Sequence, residues 1–162
     1  MGTAKHQLST FYFVYSFWSR LMSYIHKQKF NISDLVPEDL RVRHVLVVEP
    51  EYYSRQLYVK HLREHGFKPA HSSDLSEGLV LLKSLKPQAA ILSPHAESSY
   101  ENFIYALSLV RKMYPELPII TVGEALPVSV LAEIMGLGVS GHLEKKLTRP
   151  GDIVTVINAI LI

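Results

Sequence analysis

The chain has no cysteine. That absence excludes disulfides, thiolate zinc sites, iron–sulfur clusters and cysteine nucleophiles, and it fits a reducing compartment such as the cytoplasm. An excess of one charge is missing too. The 17 Lys and Arg stand against 15 Asp and Glu, with no dense basic run. Proteins that grip nucleic acid carry a basic patch, so neither DNA nor RNA is expected as a partner. No glycine-rich phosphate loop is present: "GEALP" at Gly123–Pro127 holds one glycine, too few to cradle a phosphate. The small-residue cleavage site of a signal peptide is not evident. The most apolar run, Leu8 to Ile25, is broken by Arg20, Ser9, Thr10, Ser16 and Ser19. A membrane span needs ~20 predominantly apolar residues. The sequon at Asn31 and Ser33 therefore reads as chance, with no secretory signal ahead of it.

What remains is a chain of 162 residues with the composition of one globular domain plus an extension. Residues 1–40 form the extension and its linker. Phe11, Val14, Tyr15, Trp18, Met22 and Ile25 recur at three- and four-residue steps, which predicts one apolar helix face. Tyr12, Phe13 and Phe17 spill round its sides, and Lys27 and Lys29 follow. Three burial sites stay open: the chain's own domain, another subunit or protein partner, and a membrane surface. "NISDLVPEDL", Asn31–Leu40, is a break.

From Arg41 the rhythm changes to strand and helix in alternation. "HVLVVEP", "FKPAHS", "QAAILS", "LPIITVG" and "VSGHLEK" read as strands. "YYSRQLYVKHLREHG", "SDLSEGLVLLKSLKP", "SSYENFIYALSLVRKMYP", "LPVSVLAEIMGLG" and "RPGDIVTVINAILI" read as helices, with Ser98 or Ser99 capping the third. Five such units predict an α/β domain, a parallel sheet covered on both faces. Function in these sheets collects beyond the C-terminal strand ends. Those ends are Glu49-Pro50, Ser93-Pro94, Gly123-Glu124 and Glu144-Lys145. Ser93 stands out, delivered to the sheet edge by a buried strand with no evident activator.

From about Arg43 to Ile162, "VLVVEPE", "PQAAILS", "LPIITVGE" and "GVSGHLEKKL" resemble the receiver domains of two-component response regulators. The resemblance implies a flavodoxin-like doubly wound sheet of order 2-1-3-4-5. It also implies a pocket in which two acids after the first strand bind magnesium. There an aspartate accepts a phosphoryl group, a hydroxyl ends the fourth strand, and a lysine sits in the fifth. By alignment the acids fall on Glu49 and Pro50, the aspartate on Ser93, the hydroxyl on Gly123, the lysine on Lys145 and the switch aromatic on His142. The resemblance is thus to a degenerate receiver. Magnesium wants carboxylates, and phosphoryl acceptance wants an ionised nucleophile. Lys145 reads either as a residual anion site or as the partner of Glu49, and the second is preferred because a half-buried lysine needs a counter-charge.

Enzymatic readings are weaker. His61-Leu62-Arg63-Glu64-His65 spells H-x-x-E-H, but a helix end rich in His also suits the helix dipole. Ser93-Pro94-His95 lacks the nucleophile elbow. Neither catalytic residue, metal nor cofactor is expected. The expected function is phosphorylation-independent protein–protein interaction in signalling. The alternatives are a homodimeric platform built through the N-terminal helix and, behind it, a small hydrolase or metal-dependent enzyme. Partner-facing candidates are Phe11, Tyr15, Trp18 and Met22 on that helix, and Val130, Ile134 and Leu137 near the fifth strand.

Overall fold

A computed structural model describes residues 42–161. Phe11, Tyr15, Trp18 and Met22 lie outside the described residues, with the helix expected there. No described helix is long and apolar enough to cross a membrane.

The elements alternate as the sequence pattern predicts: β1 (Arg43–Val48), α1 (Tyr52–Glu64), β2 (Phe67–Ser72), α2 (Leu75–Leu85), β3 (Ala89–Leu92), a 3-10 turn (Pro94–Ala96), α3 (Tyr100–Met113), β4 (Ile119–Gly123), α4 (Val128–Gly136), β5 (Gly141–Glu144) and α5 (Pro150–Ile160). The five strands form one sheet in the order β2-β1-β3-β4-β5, parallel throughout. This is the flavodoxin-like doubly wound architecture.

Strand alternation divides the core. Successive side chains on a strand point to opposite faces. Leu46, Val48, Ala90, Leu92 and Ile119 therefore join Leu82 of α2, Phe103 and Leu107 of α3 and Ile134 of α4 on one side. Val45, Val47, Ile91, Ile120 and Val122 join Tyr58 and Leu62 of α1 and Ile153 and Ile157 of α5 on the other. Ile134 is fully buried in the first cluster. It is therefore not a partner-facing residue, contrary to the sequence reading: the helical stripe that suggested exposure is the stripe that packs on the sheet. Leu137 packs against the same cluster, half-buried.

Local chemistry fixes the helix starts. Asp74 accepts from the Glu77 N–H, and Ser99 from that of Asn102. Ser99 is thus the cap of α3, while Ser98 Oγ accepts from the Asn102 side chain at 2.9 Å. One glycine is set by packing alone. A Cβ at Gly78 would lie 2.6 Å from Val48 Cγ2 and 3.3 Å from Ser72 Oγ. Gly78→Ala is expected to cost about 1–3 kcal/mol by overpacking, despite alanine's better helix propensity. A urea midpoint lowered relative to the parent, with unchanged slope, checks it.

Candidate functional site

The C-terminal ends of β1, β3, β4 and β5 bring Glu49, Ser93, Gly123 and Lys145 to one mouth. Glu49 continues the β1 line, its N–H donating to the Ser72 carbonyl at 3.1 Å. Its carboxylate is 1% exposed. Oε1 accepts from Lys145 Nζ at 2.8 Å and from the Glu51 N–H at 3.0 Å. The lysine side chain is 22% exposed. Its backbone N–H donates to the Gly123 carbonyl at 2.8 Å, so the strand ladder itself aims the ammonium inward. Glu49 Oε2 and Arg55 Nε have no hydrogen-bond partner among the described residues.

Ser93 is buried, and its polar atoms are divided between β1 and its own turn. Its N–H donates to the Val48 carbonyl at 2.8 Å. Its Oγ accepts from the His95 N–H at 3.3 Å, and its carbonyl accepts from the Ala96 N–H at 3.0 Å. Ser93 is thus the cap of the 3-10 turn, with Pro94 at the first position. The signal for this was in the sequence: a serine followed by proline suits a helix start.

The turn also fills the mouth. A Cβ at Gly123 would lie 3.3 Å from Pro94 Cδ and 3.5 Å from His95 Cδ2. The His95 ring lies over the glycine, its outer side exposed, with the Tyr100 ring 5.9 Å away. In the sequence His95 stood out only within Ser93-Pro94-His95, the run that lacks a nucleophile elbow. The contact that matters is with Gly123, which is close in space but distant in the chain.

Pro50 is exposed at the mouth and offers only its carbonyl, which accepts from Arg55 Nη1 at 3.1 Å. The same nitrogen reaches the Glu49 carbonyl. The remaining nearby acid, Glu51, caps α1: its carboxylate takes the Tyr53 and Ser54 N–H groups at 2.8 and 2.7 Å. Hydrogen bonds from Ser54 and Tyr53 hold its pKa below the ordinary value. As a divalent-cation site this donor set does not fit. Such ions want several free oxygens, and here one buried carboxylate already holds an ammonium.

His142 is held at both ring nitrogens, by β4 and by the residue that follows it. Nε2 lies 2.9 Å from the Glu124 carbonyl, and Nδ1 lies 2.9 Å from Thr121 Oγ1. A carbonyl only accepts, so Nε2 carries the proton. In the neutral ring Nδ1 then accepts from the threonine hydroxyl. Thr121, fully buried, was not singled out from the sequence; the cross-strand pair Thr121–His142 explains its position.

The first helix carries Tyr58, buried beside this mouth. Burial, then the negative charge of Glu49, pushes its phenol up to about 12 from 10.0. The unfolded chain ionises near 10, so the neutral buried phenol contributes full stability below that pH. The contribution is lost as pH rises from about 10 through 12. Tyr58→Phe is expected to flatten the alkaline fall in stability, read as denaturant midpoints at pH 9 and 11.5 for both proteins.

His61 and His65 do not join this site. They sit in and just after the last turn of α1, about 15 Å along the helix from its start. His65 Nδ1 is bonded to the His61 carbonyl at 2.8 Å. Among the described residues no three His, Cys, Asp or Glu side chains gather as a metal site.

No family model matches the chain. It is 25% identical over 101 residues to an NtrX-like response-regulator sequence of Rickettsia felis, a stretch covering 62% of this chain and 21% of that protein. It is 24% identical over 101 residues to the corresponding Rickettsia bellii protein, with the same coverage of each. The match thus spans about a fifth of the length of these relatives. Among solved structures, a CheY-like receiver domain protein of Methanospirillum hungatei JF-1 superposes with TM-score 0.69 at 16% identity, covering 75% of this chain and 94% of that one. The receiver domain of NtrX from Brucella abortus gives 0.65 at 20% identity, with 72% and 97% covered. Residues 42–161 therefore share the fold of response-regulator receiver domains. Within this domain, Val130 is half-buried, whereas Val128, Met135 and Leu147 are exposed. Met135 belongs to the apolar group of this region that the sequence offered for exposure; Val128, at the helix start, and Leu147, in the turn after β5, were missed because neither lies within a helical apolar stripe.

Proposed function

We propose that this receiver domain works without phosphorylation, as a protein–protein interaction module in response-regulator signalling. The observation that carries the reading is the Lys145–Glu49 pair at 2.8 Å. The ammonium occupies the one buried carboxylate that could have served a metal. Ser93 supports the reading from the other side. A neutral hydroxyl is a weak nucleophile without an adjacent base, and its oxygen is committed to a turn. Catalysis plays no part in this proposal.

The test is incubation of the whole chain with acetyl phosphate and magnesium, followed by intact mass. The expected result is no gain of one phosphate, with an ordinary aspartate-bearing receiver labelled in parallel. A phosphate gained by the parent and lost in Ser93→Ala overturns the proposal.

Self-association is a second reading. It is favoured by the exposed Val128 and Met135, seven residues apart and so on one side of α4, and by the exposed Leu147 after β5, because apolar exposure on one face marks contact surfaces. Sedimentation of the parent against Val128→Glu with Leu147→Glu separates dimer from monomer.

A further inference from the structure

At the end of the sheet opposite the Glu49 mouth, the last turns of α2 and α3 enclose a cleft of about 440 Å³. Ligand sites commonly have volumes of ~300–1,000 Å³. Leu82, Met113, Tyr114 and Leu117 line it, with Lys86 and Glu116 at its polar edge. Three prolines, Pro87, Pro115 and Pro118, also line it, and proline has no N–H to offer. Main-chain donors are further reduced because the Gln88 N–H is spent on the His44 carbonyl at 2.9 Å. An occupant must therefore be held by apolar contact and by side-chain charge.

The cleft does not stand alone. Tyr105 is 67% exposed and Met113 57%. With half-buried Leu109 between them they follow four-residue steps on α3. The stripe is about 12 Å long at 1.5 Å per residue and runs into the cleft at Met113. A peptide chain of about six extended residues, at ~3.3 Å each, covers stripe and cleft together.

Charge selects the peptide. Lys86 lines the cleft, and Lys83 and Lys112, each next in the chain to a lining residue, Leu82 and Met113, are exposed; none of the three enters an ion pair among the described residues. Lysines here also complement the C-terminal helix ends, each worth roughly half a negative charge. Two such ends with Glu116 make about −2 against +3, so a positive balance remains. Arg111 is additional, but its donors are occupied by five carbonyls.

We propose that this face docks a short extended peptide with a bulky apolar pair flanked by carboxylates. The proposal rests on the reading of the domain as an interaction module, and it gives that module a location and a partner chemistry.

The test titrates the ¹⁵N-labelled whole chain with two synthetic hexapeptides. Both carry a central phenylalanine–leucine pair; one is flanked by aspartate and glutamate, the other by lysine. The acidic peptide is expected to shift the amides of Leu82, Lys86, Met113 and Leu117 saturably. Lys86→Glu and Met113→Glu, both at exposed side chains, are each expected to raise its Kd at least tenfold while distant amides stay unchanged. Equal binding of the lysine-flanked peptide overturns the proposal. So does an absence of saturable shifts, or equally tight binding by free indole, which would mark a small-molecule pocket. Shifts confined to α4 and β5 overturn the cleft yet leave the interaction module standing. A phosphate gained from acetyl phosphate overturns the proposed phosphorylation-independence and leaves the cleft intact.

Discussion

Lys145→Met is expected to destabilise the domain by about 3 kcal/mol, because removing one partner of a buried ion pair strands the other. Glu49 is the stranded group. Its carboxylate is 1% exposed, and without the ammonium Oε1 keeps only the Glu51 N–H as a donor. Lysine stems also pack, and methionine preserves most of that stem, so the loss reads charge rather than volume. The partial exposure of Lys145, 22%, places the figure at the low end for such pairs. The double variant Glu49→Leu with Lys145→Met removes both charges and is expected to recover most of the loss. Urea unfolding of the parent, both singles and the double closes the cycle. A coupling near zero would show that the pair contributes nothing, and the electrostatic account of the mouth would fail with it.

Arg111→Met is the second large effect, about 2–4 kcal/mol from lost charge-assisted hydrogen bonds and stranded carbonyls. One guanidinium donates to five carbonyls: Leu137 from Nε at 3.0 Å, Gly138 from Nη2 at 3.0 Å, and Tyr114, Pro115 and Leu117 from Nη1 at 3.3, 2.7 and 2.9 Å. It thereby joins the end of α3, the turn into β4 and the turn out of α4. The planar fork allows one side chain to serve several acceptors at once. Lysine cannot span them, so Arg111→Lys is expected to recover less than half of the loss. Hydrogen exchange gives a second readout. Amides from Tyr114 to Leu117 and from Leu137 to Val139 are expected to lose protection ahead of those of β1 and β3. Equal stability of Arg111→Met and the parent would show that water serves these carbonyls as well as the guanidinium does.

Much of the fold was legible because its signals are local. The alternation of short β-branched runs with amphipathic helices needs no distant partner to be read. "HVLVVEP" became β1 and "QAAILS" became β3 because continuous apolar runs suit strands buried on both faces. Residues at the strand ends were legible for the same reason, so Glu49, Ser93, Gly123 and Lys145 could be named together. What Ser93 does was half legible, since its cap role follows from the proline after it. Ile134 was misjudged because apolar count alone does not tell the packed stripe of a helix from its flank. Thr121 was passed over because a threonine in an apolar strand reads as filler until its cross-strand neighbour is known.

The sequence by itself determined the succession of strands and helices and which residues stand at the strand ends, Glu49, Ser93, Gly123 and Lys145 among them. Those properties follow from backbone preference and side-chain alternation over a few residues. Only the tertiary structure decided that Lys145 closes on Glu49, that His95 covers Gly123, that Arg111 joins three segments, and that Gly78 admits no side chain. Each of these depends on groups far apart in the chain meeting within a few ångströms, and such distances are set by the packing of the whole sheet.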